Sequence, residues 1–213
     1  MHGRIKYICF KGSLLLLTLA FFNNSCAQDA DVPVESGEGF LNRQHKPSEL
    51  MDVIGLEEGM VIADIGAGRG RMTVFFASRV GEGGMVLANE INSGALEHLE
   101  KRCKRNSINN VKTILGTVSD PKLPAGKADI IFMVSTYHHL DKPVELMRNA
   151  RSGLKPGGRL IIVERDPVKT GQSNSENTSQ EQVTRQMTQA GYTLLDINTE
   201  FLERDNIYFF GIN

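Results

Sequence analysis

The sequence predicts an α/β fold built on a doubly wound sheet that is mostly parallel and ends in an antiparallel hairpin. Strand-like and helix-like segments alternate in a regular way from residue 47 to residue 212. The run Asp129–Ser135 is almost continuously apolar, which is typical of a strand covered on both faces. The chain has 213 residues, of which 40% are hydrophobic and 23% charged, and this composition suits one globular domain.

The elements of the first half follow from apolar periodicity and from the residues that end helices. Pro47 opens a short helix that Gly55 ends, because proline in a first turn lacks only an N–H that would be unpaired anyway. A strand is expected over Met60–Ile65, followed by a helix over Met72–Val80 that stops at Gly81. The pattern then repeats as a strand over Gly84–Glu90, a helix over Ser93–Arg105 capped by Ser93, and a strand over Val111–Leu115.

The second half continues the alternation after a loop rich in proline and glycine. The predicted elements are a strand over Asp129–Ser135, a helix over Lys142–Leu154, a strand over Arg159–Glu164, a helix over Ser179–Ala190 and strands over Tyr192–Leu202 and Ile207–Ile212. The charged turn Glu203–Asn206 separates the last two strands, so they are expected to pair as a hairpin. A Ser/Asn/Gly loop is expected over Thr170–Thr178.

The amino terminus has the order of an export signal. A basic start precedes the apolar run Leu14–Phe22, which is too short to span a bilayer. Ser25 before Cys26 resembles the end of a bacterial lipoprotein signal, while Ser25 and Ala27 also satisfy the rule of ordinary signal peptidase. We therefore predict a signal peptide of lipoprotein type over residues 1–26, a flexible tether over 27–42 and a domain over 43–213.

Charge and cysteine content limit the possible partners. Removing residues 1–26 takes three basic residues and no acid from 24 basic and 25 acidic residues, which leaves a net charge of −4. A nucleic-acid partner is not expected, because the basic residues are scattered among acids. A small-molecule or exposed-peptide partner fits better, with a membrane contact only through a lipid at Cys26. Cys103 shares an apolar helix face with Leu96 and Leu99, which favours core packing.

Glycines follow the first predicted strand at a spacing that indicates a ligand site. The segment 61–70 reads VIADIGAGRG, in which an apolar strand ends in an acid and three alternate glycines. In open α/β sheets, ligands bind beyond the carboxyl ends of the strands, and glycine lets them approach the backbone. A dinucleotide site requires G-x-G-x-x-G, but Arg71 stands where the third glycine belongs, and Asp64 would disfavour a pyrophosphate.

These residues resemble the class I S-adenosylmethionine-dependent methyltransferases, whose first motif is an acid followed by G-x-G-x-G. The resemblance covers residues 43–213, and its further motifs are Lys46-Pro47, Leu123-Pro124 and Tyr137-His138. It implies a Rossmann-like sheet of about seven strands, S-adenosylmethionine as the cofactor and methyl transfer to an acceptor that the sequence does not identify. The oligomeric state is not readable either.

The resemblance also implies a set of cofactor contacts. Gly66, Ala67 and Gly68 would line the methionine and ribose, Asp64 would lie near the amino group, and Glu90 would hold the ribose hydroxyls. An acid at the end of the second strand can accept both hydroxyl protons of a ribose, although that feature would suit NAD equally. The predicted cofactor-binding set is Asp64, Gly66, Ala67, Gly68, Gly70, Glu90, Ile91, Thr117, Val118, Asp120 and Ser135.

The adenine contact is left open by a departure from the family pattern. Methyltransferases often have Gly-Asp after the third strand, but here Thr117 follows Gly116. Asp120 or the backbone around Val118 and Ser119 would supply the contact. Asp120-Pro121 is equally typical of a simple turn.

The segment after the fourth strand supplies the predicted catalytic residues, His138, His139 and Tyr137. A neutral histidine suits a base that removes a proton from the acceptor near pH 7, and a helix-capping or packing role is the alternative. Adjacent residues in an extended chain point to opposite sides, so no metal site is expected. Arg165 and Asp166 would orient a polar acceptor or be solvated. The resemblance alone suggests a lid made of His45, Lys46 and Tyr137.

The sequence is compatible with three functions. They are a working methyltransferase, an exported protein that binds an adenosine-like ligand without catalysis, and an NAD-dependent oxidoreductase. The intact Asp64 and glycines favour the first function, while Thr117 favours the second. Export also favours the second function, because S-adenosylmethionine is made in the cytosol. Arg71 and the acid before the glycines disfavour the third function.

Overall fold

The computed structural model describes residues 32–172 and 177–212. Within them a seven-stranded sheet has the order β3-β2-β1-β4-β5-β7-β6. The strands are β1 Val61–Ile65, β2 Met85–Glu90, β3 Val111–Leu115, β4 Ala128–Val134, β5 Leu154–Arg165, β6 Thr193–Asn198 and β7 Asp205–Gly211. Strands β1 to β5 pair in parallel, whereas β7 is antiparallel to both β5 and β6. The predicted fold class is confirmed.

Helices cover both faces of the sheet. They are α1 Gly39–His45, α2 Pro47–Val53, α3 Thr73–Val80, α4 Ser93–Arg105, α5 Pro143–Ala150, α6 Pro167–Thr170 and α7 Gln180–Gln189. On one face, Ile130 and Phe132 of β4 pack with α2 and α3, while on the other Ile131 and Met133 pack with α5 and α7. The near-continuous apolar run of β4 thus results from a central position with both faces covered.

Residues 32–42 belong to the folded domain, which corrects the predicted tether over that stretch. Val32 is buried, and Arg102 of α4, also buried, donates to the Pro33 carbonyl at 2.7 Å. The same guanidinium makes a bidentate pair with Glu38 at 2.7 and 2.9 Å. Acidic residues that suggest a solvated linker are here paired with a helix. Residues 1–31, where the signal and lipid predictions fall, lie outside the described residues.

Several element boundaries also differ from the prediction. The cap of α4 is Asn92 instead of Ser93, because the Asn92 Oδ1 accepts from the Ala95 N–H at 3.1 Å. Strand β5 begins at Leu154 and passes through Gly157 and Gly158 with a register shift. The predicted strand Tyr192–Leu202 is limited to β6. In the described part of the chain, no helix is long and apolar enough to cross a membrane.

Candidate active site

A pocket of about 320 Å³ lies at the carboxyl ends of β1, β2 and β4. The strand order reverses between β1 and β4, and in open α/β sheets this switch point is where ligands bind. The volume is within the range of small-molecule sites. The lining residues are Ile65, Gly66, Asn89, Glu90, Ile91, Thr117, Val118, Ser135, Thr136, His139, Leu140, Asp141 and Leu146.

Of the three loop glycines, Gly66 lines the pocket, whereas Gly68 and Gly70 do not. Gly66 has a φ of 78°, and a Cβ there would collide with the Thr136 side chain across the pocket wall. A Cβ at Gly68 would meet nothing within 4 Å. A Cβ at Gly70 would collide with Leu99 of α4, and Gly70 is not among the pocket-lining residues. The structure therefore gives Gly70 a packing position instead of the predicted cofactor contact.

Glu90 is held by the backbone at the mouth of this loop. Its Oε2 accepts from the Gly68 N–H at 3.0 Å, and its Oε1 accepts from the N–H groups of Ile91 and Asn92 at 2.8 and 3.0 Å. A carboxylate has about four acceptor positions and three of them are used here, so about one, on Oε2, remains for a ligand hydroxyl. Ile91 and Val118 are large exposed apolar residues in the pocket lining, suited to the faces of a flat ring.

Asp64 lies beneath the loop and outside the pocket lining. Its Oδ2 accepts from the Thr73 hydroxyl at 2.7 Å, and the side chain is buried. Burial raises the pKa of Asp64 to about 6, against the hydrogen bond from Thr73 and the positive charge of Arg71, which both lower it. The structure therefore shows Asp64 bound to α3 and does not show the predicted approach to a ligand amino group.

The loop after β3 brings two of its predicted residues to the pocket. Thr117 and Val118 line it, whereas Asp120 does not. The Asp120 carbonyl accepts from the Thr117 N–H at 2.8 Å, and the Asp120 Oδ1 accepts from the Lys122 N–H at 2.8 Å. Asp120 thus closes a turn, as the alternative interpretation expected. Ser135, with a φ of 48°, also lines the pocket.

Tyr137 is part of the core, which contradicts its predicted catalytic role. The residues Tyr137–His139 form a 3₁₀ turn instead of an extended segment. The buried Tyr137 hydroxyl donates to the Gln186 Oε1 of α7 at 2.6 Å. Burial, followed by the negative charge of Glu164, raises the pKa of Tyr137 above its ordinary value. Its hydroxyl therefore serves to attach the turn to α7.

The partly buried His138 pairs with a residue that the sequence reasoning missed. Its Nδ1 lies 2.7 Å from the Oε1 of Glu164, whose side chain is fully buried. Because a carboxylate only accepts, the Nδ1 carries the proton, and the Nε2 of a neutral ring holds the lone pair. The sequence did contain a signal for Glu164, because it is an acid directly before Arg165 at the end of the fifth predicted strand.

The turn also places the two histidine rings side by side. Their centroids lie 4.0 Å apart at an interplanar angle of 52°, and the exposed His139 lines the pocket. We expected the two histidines to point to opposite sides of an extended chain, which argued against a shared metal ion. That expected geometry was wrong. Across residues 32–172 and 177–212, no group of three or more His, Cys, Asp and Glu side chains that could hold a metal ion is found.

A second polar cluster lies on the other side of β5. His45 is fully buried, and its Nδ1 lies 2.9 Å from the Nη2 of Arg71. Burial lowers the pKa of His45 to about 3, with smaller contributions from Arg71 and Arg165. His45 therefore lies in the interior and is not a solvent-facing lid residue, while the Lys46 Nζ lies 5.4 Å from the Phe201 ring.

The end of β5 itself contributes to the helix that follows it. The Asp166 Oδ1 accepts from the Val168 N–H at 2.7 Å and caps α6. The Asp166 Oδ2 accepts from the Asn206 side-chain amide at 2.5 Å. Asp166 thus joins β5, α6 and β7 and is not a solvated end of a strand.

Cys103 is buried in the core, and burial raises the pKa of its thiol.

Comparison with known proteins agrees with this geometry. Residues 62–158 match the family model described as a methyltransferase domain. A ubiquinone/menaquinone biosynthesis C-methyltransferase of Azotobacter vinelandii is 28% identical over 142 residues, which cover 66% of this chain and 56% of that protein. Nocamycin O-methyltransferase of Saccharothrix syringae is 31% identical over 112 residues, covering 52% and 40%. The chain spans about half the length of the curated relatives it matches.

Solved structures share the fold. A S-adenosylmethionine-dependent methyltransferase from Aquifex aeolicus superposes with a TM-score of 0.76 at 22% identity, covering 90% of this chain and 100% of that one. A geranyl diphosphate C-methyltransferase from Streptomyces coelicolor, solved with S-adenosyl-L-homocysteine, gives 0.65 at 16% identity and covers 80% and 79%. Residues 62–158 therefore match a methyltransferase domain, and the chain shares the fold of these solved methyltransferases.

Proposed function

We propose that this protein transfers a methyl group from S-adenosylmethionine to a small acceptor that carries a removable proton, with His138 as the base. The observation that carries the proposal is the 2.7 Å contact of His138 with the fully buried Glu164, next to a pocket formed by the glycine loop and Glu90. Thr136 and His139, on either side of His138, both line that pocket.

The residues of the pocket fit an adenosyl group. Glu90 presents a fixed carboxylate for the ribose hydroxyls, and the Gly66–Gly68 backbone permits close approach. Ile91 and Val118 flank the space on the side of β2 and β3, where the adenine would lie. The chemistry that S-adenosylmethionine supplies when bound is a methyl group on a positively charged sulfur.

His138 would take the proton that an O–H or N–H acceptor loses. Glu164 holds the ring in the tautomer whose Nε2 is free to accept, and its charge stabilises the imidazolium that results. His139 packs against that ring and forms part of the wall on the acceptor side. The larger contribution is the alignment of the acceptor with the methyl group inside a confined pocket.

Isothermal titration of the protein with S-adenosylmethionine, S-adenosylhomocysteine and NAD in parallel tests the cofactor. We expect micromolar affinity for the two adenosyl ligands alone, which supports the proposed cofactor site. Binding of NAD alone would favour an oxidoreductase. Against this outcome, Arg71 stands where a dinucleotide site has its third glycine, and it is hydrogen-bonded to Asn42 and His45. Adenosyl binding without methyl transfer to any acceptor would favour the non-catalytic ligand-binding protein.

We also propose that the protein is exported and attached to a bacterial membrane by a lipid on Cys26, with ordinary periplasmic secretion as the alternative. The basic start, the apolar run and Ser25-Cys26 support this proposal. Processing that globomycin blocks would support the lipid. Globomycin-insensitive cleavage after Ala27 would defeat it. The acceptor would then be a small molecule or exposed peptide outside the cytosol. An exported enzyme would also need a supply of S-adenosylmethionine there.

A further inference from the structure

The Arg102 guanidinium of α4 lies where three segments of the chain meet. Its side chain is fully buried, and each of its two Nη atoms donates two hydrogen bonds. Two of them reach the Glu38 carboxylate at 2.7 and 2.9 Å, one reaches the Pro33 carbonyl at 2.7 Å, and one reaches the Arg69 carbonyl at 3.2 Å. Arg102 therefore joins residues 32–38, which we call the strap, to the glycine loop of residues 66–70.

The glycine loop is held from two sides at neighbouring residues. The Gly68 N–H donates to the Glu90 carboxylate at 3.0 Å, and the Arg69 carbonyl accepts from Arg102. Gly68 and Gly70 both have positive φ, and glycine itself gives the backbone little stiffness. Arg102 thus restrains the loop next to the amide that holds Glu90, and Glu90 lines the pocket.

Helix α4 also supports this loop by apolar packing. Leu99 and Cys103 form a buried cluster with Ala67 of the loop, and a Cβ at Gly70 would collide with Leu99. Leu99 and Arg102 are three residues apart, so they lie on the same side of the helix. The loop therefore has an apolar support and a polar restraint on a single helix.

The strap makes two further contacts with α4 that do not involve the loop. The Glu35 Oε2 lies 2.8 Å from the His98 Nε2, and the Glu35 Oε1 accepts from Arg105 at 3.0 Å. The Arg105 side chain is 56% exposed, so this pair contributes little to stability. Arg102 and Arg105 thus both bind strap acids, but the printed contacts of Arg102 alone include the loop.

We propose that Arg102 is a positioning residue for the cofactor site, and that the strap, bound through Arg102, raises the affinity of that site for adenosyl ligands. Coupling between two equilibria is reciprocal, so bound ligand should also favour the bound strap. The effect on affinity rests on the proposed methyltransferase function, whereas the restraint of the loop does not.

Amide hydrogen exchange on the ligand-free, full-length protein tests the restraint. Methionine fills much of the space of arginine but cannot donate a hydrogen bond. We expect Arg102→Met to speed exchange over residues 66–71 about tenfold, because the loop opens more often. Arg105→Met, on the same helix, is the matched control and should leave exchange of the loop unchanged.

Titration of S-adenosylhomocysteine into the same variants tests the effect on affinity. Arg102→Met should bind about tenfold more weakly than wild type, and Glu38→Gln severalfold more weakly, whereas Arg105→Met should bind as wild type does. Wild type alone decides the matter if Arg102→Met does not fold. Saturating S-adenosylhomocysteine should then slow exchange over residues 33–38 about tenfold.

Each half of the proposal has outcomes that would overturn it. Unchanged loop exchange in Arg102→Met, or an equal change in Arg105→Met, would refute the restraint. Wild-type affinity in Arg102→Met, or strap exchange in wild type that ignores the ligand, would refute the coupling. A wild type that binds no adenosyl ligand, with a loop that Arg102→Met still loosens, would refute the methyltransferase function and leave the restraint in place.

Discussion

The two halves of the site, on either side of the switch point, are built from different parts of the chain. Beside β1 and β2, the pocket is formed by consecutive backbone groups, with Glu90 held by the N–H of Gly68 and by its own following residues. Beside β4, the pocket is lined by Thr136 and His139, and His138 between them pairs with Glu164 of β5, 26 residues further along the chain. A fixed cofactor can be bound by a local motif, whereas acceptor recognition depends on tertiary contacts.

Loss of the base should produce the largest effect on the acceptor half. His138→Asn should lower the rate of methyl transfer by about a hundredfold or more and remove the acidic limb of the pH–rate profile, where protonation inactivates a base. Affinity for S-adenosylhomocysteine should stay the same, because His138 is not in the pocket lining. The formation rate of S-adenosylhomocysteine with an accepted substrate is the readout. A profile that keeps its shape would show that the pair is structural.

The buried charge of Asp64 should make the folded protein less stable at neutral pH than a variant without that charge. Its folded pKa of about 6 exceeds the unfolded value of 3.8, so stability is lost as pH rises from 3.8 to 6 and stays lower above that. Asp64→Asn should therefore be more stable than wild type at pH 8 by about 3 kcal/mol at most, and equal to it near pH 3.5. Urea unfolding at both pH values measures this. An identical difference at the two pH values would contradict it.

Two glycines of one loop offer a matched test of the pocket wall. Gly66→Ala places a Cβ against Thr136, and Gly68→Ala places one in open space, while both residues have positive φ. We expect Gly66→Ala to cost about 2 kcal/mol more in the free energy of unfolding and to abolish adenosyl binding. Chemical denaturation and titration of both variants provide the comparison. An equal loss of unfolding free energy in the two variants would mean that Thr136 does not pack against Gly66 at the pocket wall.

His45 should add a smaller pH dependence in the opposite direction. Its folded pKa of about 3 lies below the unfolded value of 6.5, so the folded state is destabilised as pH falls below 6.5. Relative to His45→Gln, wild type should lose about 1.4 kcal/mol per pH unit between pH 6 and pH 4. Unfolding titrations of the pair give this difference directly. A difference independent of pH would show that His45 is protonated in the folded protein.

The sequence could predict the positions of the glycine loop and of Glu90 in the fold because their determinants are local. Segment 61–70 and Glu90 are close in the chain, and the alternation of strands fixes their positions at one edge of the sheet. Tyr137 was assigned wrongly because a 3₁₀ turn, which periodicity does not reveal, turns it towards α7. Glu164 was missed because its contact with His138 joins residues that are 26 positions apart in the chain.

The structured segment 32–42 was missed for a related reason. An acidic, glycine-containing stretch without periodicity is typical of a linker. Here Glu38 is paired with Arg102, which lies 64 residues away in the chain, and that contact has no local signature. Composition alone could not distinguish a solvated acid from one that is paired with a helix.

The most direct test of the separation between the two halves is titration of S-adenosylhomocysteine into Glu90→Ala and Glu164→Gln. Glu90→Ala should weaken binding by about a hundredfold, since it removes a charge-assisted hydrogen bond to the ribose and the carboxylate that holds the Gly68 N–H. Glu164→Gln should bind as wild type does. Wild-type affinity in Glu90→Ala, or an equal loss in Glu164→Gln, would contradict the assignment of cofactor and acceptor to opposite sides of the switch point.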